Sequence, residues 1–153
     1  MRSLGLLMVR SWSLAAKVSI SKGEGNLKKK ILVCEDEEDL RVIFIDFFQD
    51  KGFDVICTQD GEQGLKLVDA EKPDIMLLDM RMPKLDGYGT LKRLREYNKE
   101  LPVIVITAYG YICQVIQMMN LGISGYVTKP IDYDKLYEKI NEVLSYKPTG
   151  AQQ

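Results

Sequence analysis

The stretch Pro73-Asp74-Ile75-Met76-Leu77-Leu78-Asp79-Met80-Arg81-Met82-Pro83, with Asp86-Gly87 close behind, decides the fold class. A short apolar run opened by proline and closed by an acid suits a strand buried on both faces. The Met82-Pro83 and Asp86-Gly87 pairs mark a loop, and Tyr88–Tyr97 then reads as a helix. The same unit recurs on both sides. Upstream, Lys28–Cys34 ends in Ile31-Leu32-Val33-Cys34 and predicts a strand. A helix over about Glu37–Lys51 follows, turning Leu40, Ile43, Phe44, Phe47 and Phe48 inward, and Gly52 stops it. Phe53–Cys57 predicts the next strand and Gly61–Glu71 the next helix, with Leu65 and Val68 inward. Downstream, Pro102 opens Val103-Ile104-Val105-Ile106. Tyr111–Asn120 reads as a helix with Ile112, Val115, Ile116 and Met119 as its core stripe. Gly125-Tyr126-Val127 is a short fifth strand, and Tyr133–Tyr146 the last helix. Five strands alternating with five helices imply an α/β fold, a parallel doubly wound sheet with helices on both faces. Ligands bind such sheets beyond the carboxyl ends of the strands.

Those ends carry chemistry. Strand one runs into Glu35-Asp36-Glu37, strand three into Asp79, strand four into Thr107-Ala108, strand five into Thr128-Lys129-Pro130. Clustered carboxylates repel one another, and burial penalises each further, so a cation must join them. Hard oxygen ligands without His or Cys point to Mg²⁺, with Mn²⁺ as a substitute. Mg²⁺ takes one or two carboxylates, which leaves another free to act as a nucleophile toward a phosphoryl group. An acyl phosphate would then find Lys129 for one oxygen and the Thr107 hydroxyl for another.

Composition narrows the field. The chain has 153 residues, net charge −1 and no histidine. Without histidine there is no Ser-His-Asp triad, no imidazole metal ligand and no internal phosphohistidine; any histidine donor belongs to another molecule. The near-neutral charge gives no bulk grip on nucleic acid. Cys34, Cys57 and Cys113, with no CxxC spacing, read as reduced, buried thiols of a cytoplasmic protein. No run reaches the roughly 18 apolar residues of a membrane span. Residues 1–26 carry Arg2, Arg10, Lys17 and Lys22 with no acid before Glu24, and Arg10 cuts the apolar stretch Leu4–Val9. They are expected to be a disordered extension, or to follow a start codon placed too early, rather than a membrane-surface helix. Residues 27–147 form the expected domain and 148–153 a loose tail.

Four segments, Ile31–Glu37, Asp74–Pro83 with Asp86-Gly87, Val105–Gly110 and Gly125–Pro130, together resemble the receiver family of two-component signalling. The likeness spans about residues 28–147. It implies a (βα)₅ flavodoxin-like unit with strand order 2-1-3-4-5 and a cis Lys129-Pro130 bond. It further implies Asp79 as phosphoacceptor, and Glu35 and Asp36 as the acidic pair, with Asp36 the direct Mg²⁺ ligand. The backbone carbonyl of Arg81 completes the metal's protein ligands. Thr107 is the implied switch hydroxyl, Lys129 the phosphate-pairing lysine and Tyr126 the switch aromatic. The Arg81 and Tyr109 side chains stand where family members tune hydrolysis, and both are bulky, so slow self-dephosphorylation is expected. Glu35 replaces the more usual Asp, a mild departure.

The implied partners are a sensor histidine kinase or histidine phosphotransfer protein and a downstream protein target. Val42 and Ile45, off the stripe of the first helix, are offered as donor surface. Tyr111 and Met118, off the stripe of the fourth, are offered as part of an output or weak homodimer surface. Neither nucleic acid nor membrane is an expected partner. An FMN-binding reading fails because the loop after strand one is acidic. A haloacid-type phosphohydrolase fails because Arg81 stands where its second Asp would be. A degenerate receiver, acting only as a protein-binding module, is the serious alternative. The chain reads as a stand-alone receiver or as a fragment of a longer regulator.

Overall fold

The structure, a computed structural model, describes residues 27–146; the extension 1–26 and the tail 148–153 lie outside the described residues. The elements alternate as expected. They are β1 (Lys30–Cys34), α1 (Glu38–Asp50), β2 (Asp54–Thr58), α2 (Gly61–Glu71), β3 (Ile75–Asp79) and α3 (Gly87–Tyr97). Then come β4 (Val103–Thr107), a 3₁₀ turn (Tyr109–Tyr111), α4 (Ile112–Met119), β5 (Gly125–Thr128) and α5 (Tyr133–Ser145). The strands form one parallel sheet in the order β2-β1-β3-β4-β5. Aspartates supply three helix starts: Asp60, Asp86 and Asp132 each accept a hydrogen bond from the backbone three residues on, as helix N-termini require.

Period-two alternation along the central strands splits the core in two. Ile31, Val33, Ile75, Leu77, Ile104 and Ile106 pack with Phe44 and Phe48 of α1 and Leu136 and Ile140 of α5. Leu32, Cys34, Met76, Leu78, Val103 and Val105 pack with Val68 of α2, Leu91 and Leu94 of α3, and Val115 and Met118 of α4. Because both faces are covered, the strands carry their buried polar side chains at their ends.

Several expectations about side chains are corrected. In α4, Met118 is fully buried and offers no surface, whereas Ile116 (57% exposed) and Met119 (49%), assigned to the core, face outward. In α1, Ile45 is partly buried against the core, while Ile43, expected inward, is 43% exposed. All three cysteines are free, but Cys113 is exposed. Burial raises the thiol pKa of Cys34, and pushes that of Cys57 up to about 12.

Arg95 of α3 is buried without a carboxylate partner among the described residues. Its guanidinium donates to the carbonyls of Gly122 (Nε 3.1 Å, Nη2 2.8 Å), Asn98 (2.9 Å) and Leu101 (2.8 Å). This clasp fixes the loop that leads into β5; Gly122 itself has φ +93°, a conformation glycine adopts without penalty. Burial lowers the Arg95 pKa. Arg95→Met leaves these carbonyls without their donors and is expected to cost about 2–4 kcal/mol, read from urea unfolding.

Candidate functional site

Two strand ends converge on one acidic cluster. Glu35 directly follows β1 and is fully buried, Asp79 closes β3 and is 3% exposed, and Asp36 is exposed beside them. Carboxylate oxygens of Glu35, Asp36 and Asp79 lie within 4.8 Å of one another. Register explains the meeting: β1 and β3 are paired neighbours, and the Glu35 N–H donates to the Thr58 carbonyl at 2.9 Å, carrying the β1 ladder one step past the strand. Gly87 lets the loop after β3 pack back against the end of that strand, where its N–H donates to the Met80 carbonyl at 2.9 Å. A Cβ there would stand 2.6 Å from the Asp79 carbonyl oxygen and 2.8 Å from Met80 Cα.

One cation meets the acids. Lys129, just past β5, places Nζ 3.2 Å from Asp79 Oδ2, 3.3 Å from Glu35 Oε1 and 3.5 Å from Glu37 Oε1. It donates hydrogen bonds to Asp79 and Glu37. The contact with Glu35 Oε1 is a close ion pair without hydrogen-bond alignment, so that buried oxygen has no donor. The remaining polar groups are fixed by the backbone. Glu37 N–H donates to Glu35 Oε2 at 3.2 Å, and Arg81 N–H to Asp79 Oδ1 at 3.2 Å. Arg41 turns its guanidinium to the Glu35 carbonyl at 2.7 Å rather than to a carboxylate.

The electrostatics follow from this crowding. Burial, and then the neighbouring Asp79 carboxylate, hold Glu35 well above the usual carboxylate range. Burial works against the charge on Lys129, but the Asp79 and Glu35 carboxylates together outweigh it, so its pKa is raised. Three carboxylates facing one ammonium leave an excess of negative charge, and an oxygen such as Glu35 Oε1 is a ready ligand for a hard divalent cation.

Thr107, at the end of β4, is buried; its hydroxyl donates to the Ala108 carbonyl at 3.0 Å, and its carbonyl accepts from the Lys129 N–H at 2.8 Å. Tyr126 in β5 is 37% exposed and Tyr109 is 82% exposed. Lys129-Pro130 is cis. A family model for the response regulator receiver domain matches residues 31–141.

The chain belongs to that family. The receiver is 31% identical over 121 residues to sporulation initiation phosphotransferase F of Bacillus subtilis, covering 79% of this chain and 98% of the relative. It is 39% identical over 119 residues to the probable transcriptional regulator ycf27 of Porphyra purpurea, covering 78% of this chain and 49% of that one. The chain thus spans about half the length of several curated relatives it matches. Among solved structures, a Francisella response regulator receiver domain superposes with a TM-score of 0.72 at 31% identity, covering 76% of this chain and 97% of that chain.

Two residues of this receiver make contacts that sequence reasoning did not supply. Glu37, read as opening the first helix, contacts Lys129 and makes no side-chain cap. The available signal was its type, since Glu is a poor N-cap compared with Ser, Thr, Asp or Asn. Tyr111, offered as part of a partner surface, also accepts a hydrogen bond on its hydroxyl from Arg81 at 2.8 Å.

Proposed function

We propose that the receiver takes a phosphoryl group from a phosphohistidine on a partner protein onto Asp79. The carrying observation is a nearly buried Asp79 carboxylate that shares one cluster with Glu35, Asp36 and Lys129. An Asp79 carboxylate oxygen attacks phosphorus, the P–N bond of the donor breaks, and the imidazole leaves with the electron pair. Glu35, Asp36, Asp79 and the backbone carbonyl of Arg81 would hold Mg²⁺, or Mn²⁺ in its place. That ion supplies positive charge to the phosphoryl oxygens when bound. Lys129 would exchange its carboxylate partners for a phosphoryl oxygen. The Thr107 hydroxyl would leave the Ala108 carbonyl for another, and Tyr126 would turn inward behind it. The orphaned Glu35 oxygen and the all-oxygen donor set support the metal's place here.

The near full-length match to a phosphotransferase supports a stand-alone receiver that passes the phosphoryl group on in a relay. The half-length matches to transcriptional regulators support a receiver joined to an output part. Calorimetric titration of the purified chain with Mg²⁺, and its intact mass after acetyl phosphate, test the site directly. Neither binding nor mass gain would return the chain to a phosphorylation-independent binding module.

The exposed apolar pair on α1, Val42 (51%) and Ile43 (43%), suits the docking of a helical donor. Val42→Asp is expected to slow phosphotransfer from a phosphohistidine donor about tenfold, as loss of a well-placed interface side chain does. Phosphorylation by acetyl phosphate should be unchanged. Equal rates from the donor protein would remove α1 as its surface. The α4–β5–α5 face, with Ile116, Met119 and Tyr126 exposed, takes the output role in this reading in place of Met118.

A further inference from the structure

Arg81 lies two residues past the phosphoacceptor, in the loop that follows β3. An exposed arginine ordinarily samples many rotamers. Here it is held. Its Nη1 donates to the Tyr111 hydroxyl at 2.8 Å, and its guanidinium carbon lies 5.4 Å from the centroid of the Tyr111 ring. Tyr111 belongs to a different element, the 3₁₀ turn before α4, and the two residues are 30 apart in sequence.

The contact has a consequence for access to the site. Arg81 and Tyr111 both line a groove of about 580 Å³, together with Asp36, Met80 and Met82. Asp36 is also a member of the acidic cluster, with a carboxylate oxygen within 4.8 Å of one on Asp79, so the groove reaches the edge of that cluster. Tyr109, the other bulky residue expected to shield the site, lines a separate groove with Tyr126 and Lys135.

We propose that Tyr111 is a positioning residue that holds the Arg81 guanidinium as a bar across this groove and so slows attack of water on the phosphorylated Asp79. This rests on the reading of Asp79 as phosphoacceptor. In hydrolysis the water oxygen bonds to phosphorus and the P–O bond to Asp79 breaks. The carboxylate leaves with the electron pair, and the water's proton passes to solvent. Tyr111 touches none of these atoms. It acts by keeping a long charged side chain in one place beside them, through a stacked face and a hydroxyl that each favour the same rotamer.

The test is the decay of the phosphorylated chain in Mg²⁺ once the phosphodonor is removed, followed by intact mass. It compares the wild type, Tyr111→Ala, Tyr111→Phe, Arg81→Ala and the double alanine variant. Tyr111→Ala is expected to shorten the lifetime about fivefold, close to the effect of Arg81→Ala. The double variant should decay no faster than Arg81→Ala alone, because Tyr111 acts through Arg81 and not through its own place on the groove wall. Tyr111→Phe, which keeps the ring and is the safer variant for folding, should fall between wild type and Tyr111→Ala. Unchanged or longer lifetimes in the single variants would overturn the proposal. So would effects that multiply in the double variant, since Tyr111 would then act on its own. A wild-type chain that never gains phosphate is a different failure: it overturns the phosphoacceptor reading, and the bar with it.

Discussion

Asp79→Asn is expected to abolish phosphorylation outright: with Mg²⁺ and acetyl phosphate the wild type gains one phosphoryl group by intact mass, and the variant gains none. The amide keeps the shape of the side chain but lacks the anionic oxygen that attacks phosphorus. It also removes one of three carboxylates within 4.8 Å of one another, so Mg²⁺ affinity should fall with it. The variant should stay folded, because Oδ1 can still accept from the Arg81 N–H, now at 3.2 Å. If Asp79→Asn were phosphorylated as readily as wild type, another carboxylate would be the acceptor and the roles assigned to Lys129 and Thr107 would fall too.

Lys129→Ala carries the second large effect. Among the described residues its ammonium is the only side-chain cation within 4 Å of Glu35, Glu37 and Asp79. Removing it leaves carboxylates facing one another in a largely buried site. In metal-free buffer the variant is expected to lose about 2–3 kcal/mol in urea unfolding, as removal of one partner from a buried ion pair does. Millimolar Mg²⁺ should return part of that loss, because a ligand bound only to the folded state stabilises it by mass action. Phosphorylation should slow as well, since one phosphoryl oxygen loses its pairing charge. A variant as stable as wild type without metal would mean that Glu35 and Asp79 are not both charged when they meet.

The strand ends were legible because chemistry and register coincide there. Apolar runs that end in Glu35, Asp79 and Thr107 suit buried parallel strands, and such strands, with the half-buried edge strand before Lys129, deliver their next residues to one edge of the sheet. The helix faces were not. α4 reads Ile-Cys-Gln-Val-Ile-Gln-Met-Met and is apolar over more than half its circumference, so spacing did not select which part of that broad face is buried; Val115 and Met118 are. In α1 the run Val42-Ile43-Phe44-Ile45 is wider than the face it must cover; the large rings Phe44 and Phe48 take the centre, and Ile43 is left at the rim. The Arg81–Tyr111 contact joins residues 30 apart through side-chain direction alone, which no periodicity encodes.

The uneven burial of the three thiols gives the chain a built-in spectroscopic handle. Cys34 is fully enclosed, and burial keeps the Cys57 thiol protonated at neutral pH, whereas Cys113 stands in solvent on the first turn of α4. A maleimide dye under mild conditions would therefore label one position, four residues past Tyr109 and two past Tyr111. Its emission would report in real time whether that turn moves when the carboxyl edge of the sheet is loaded, with no engineered cysteine needed.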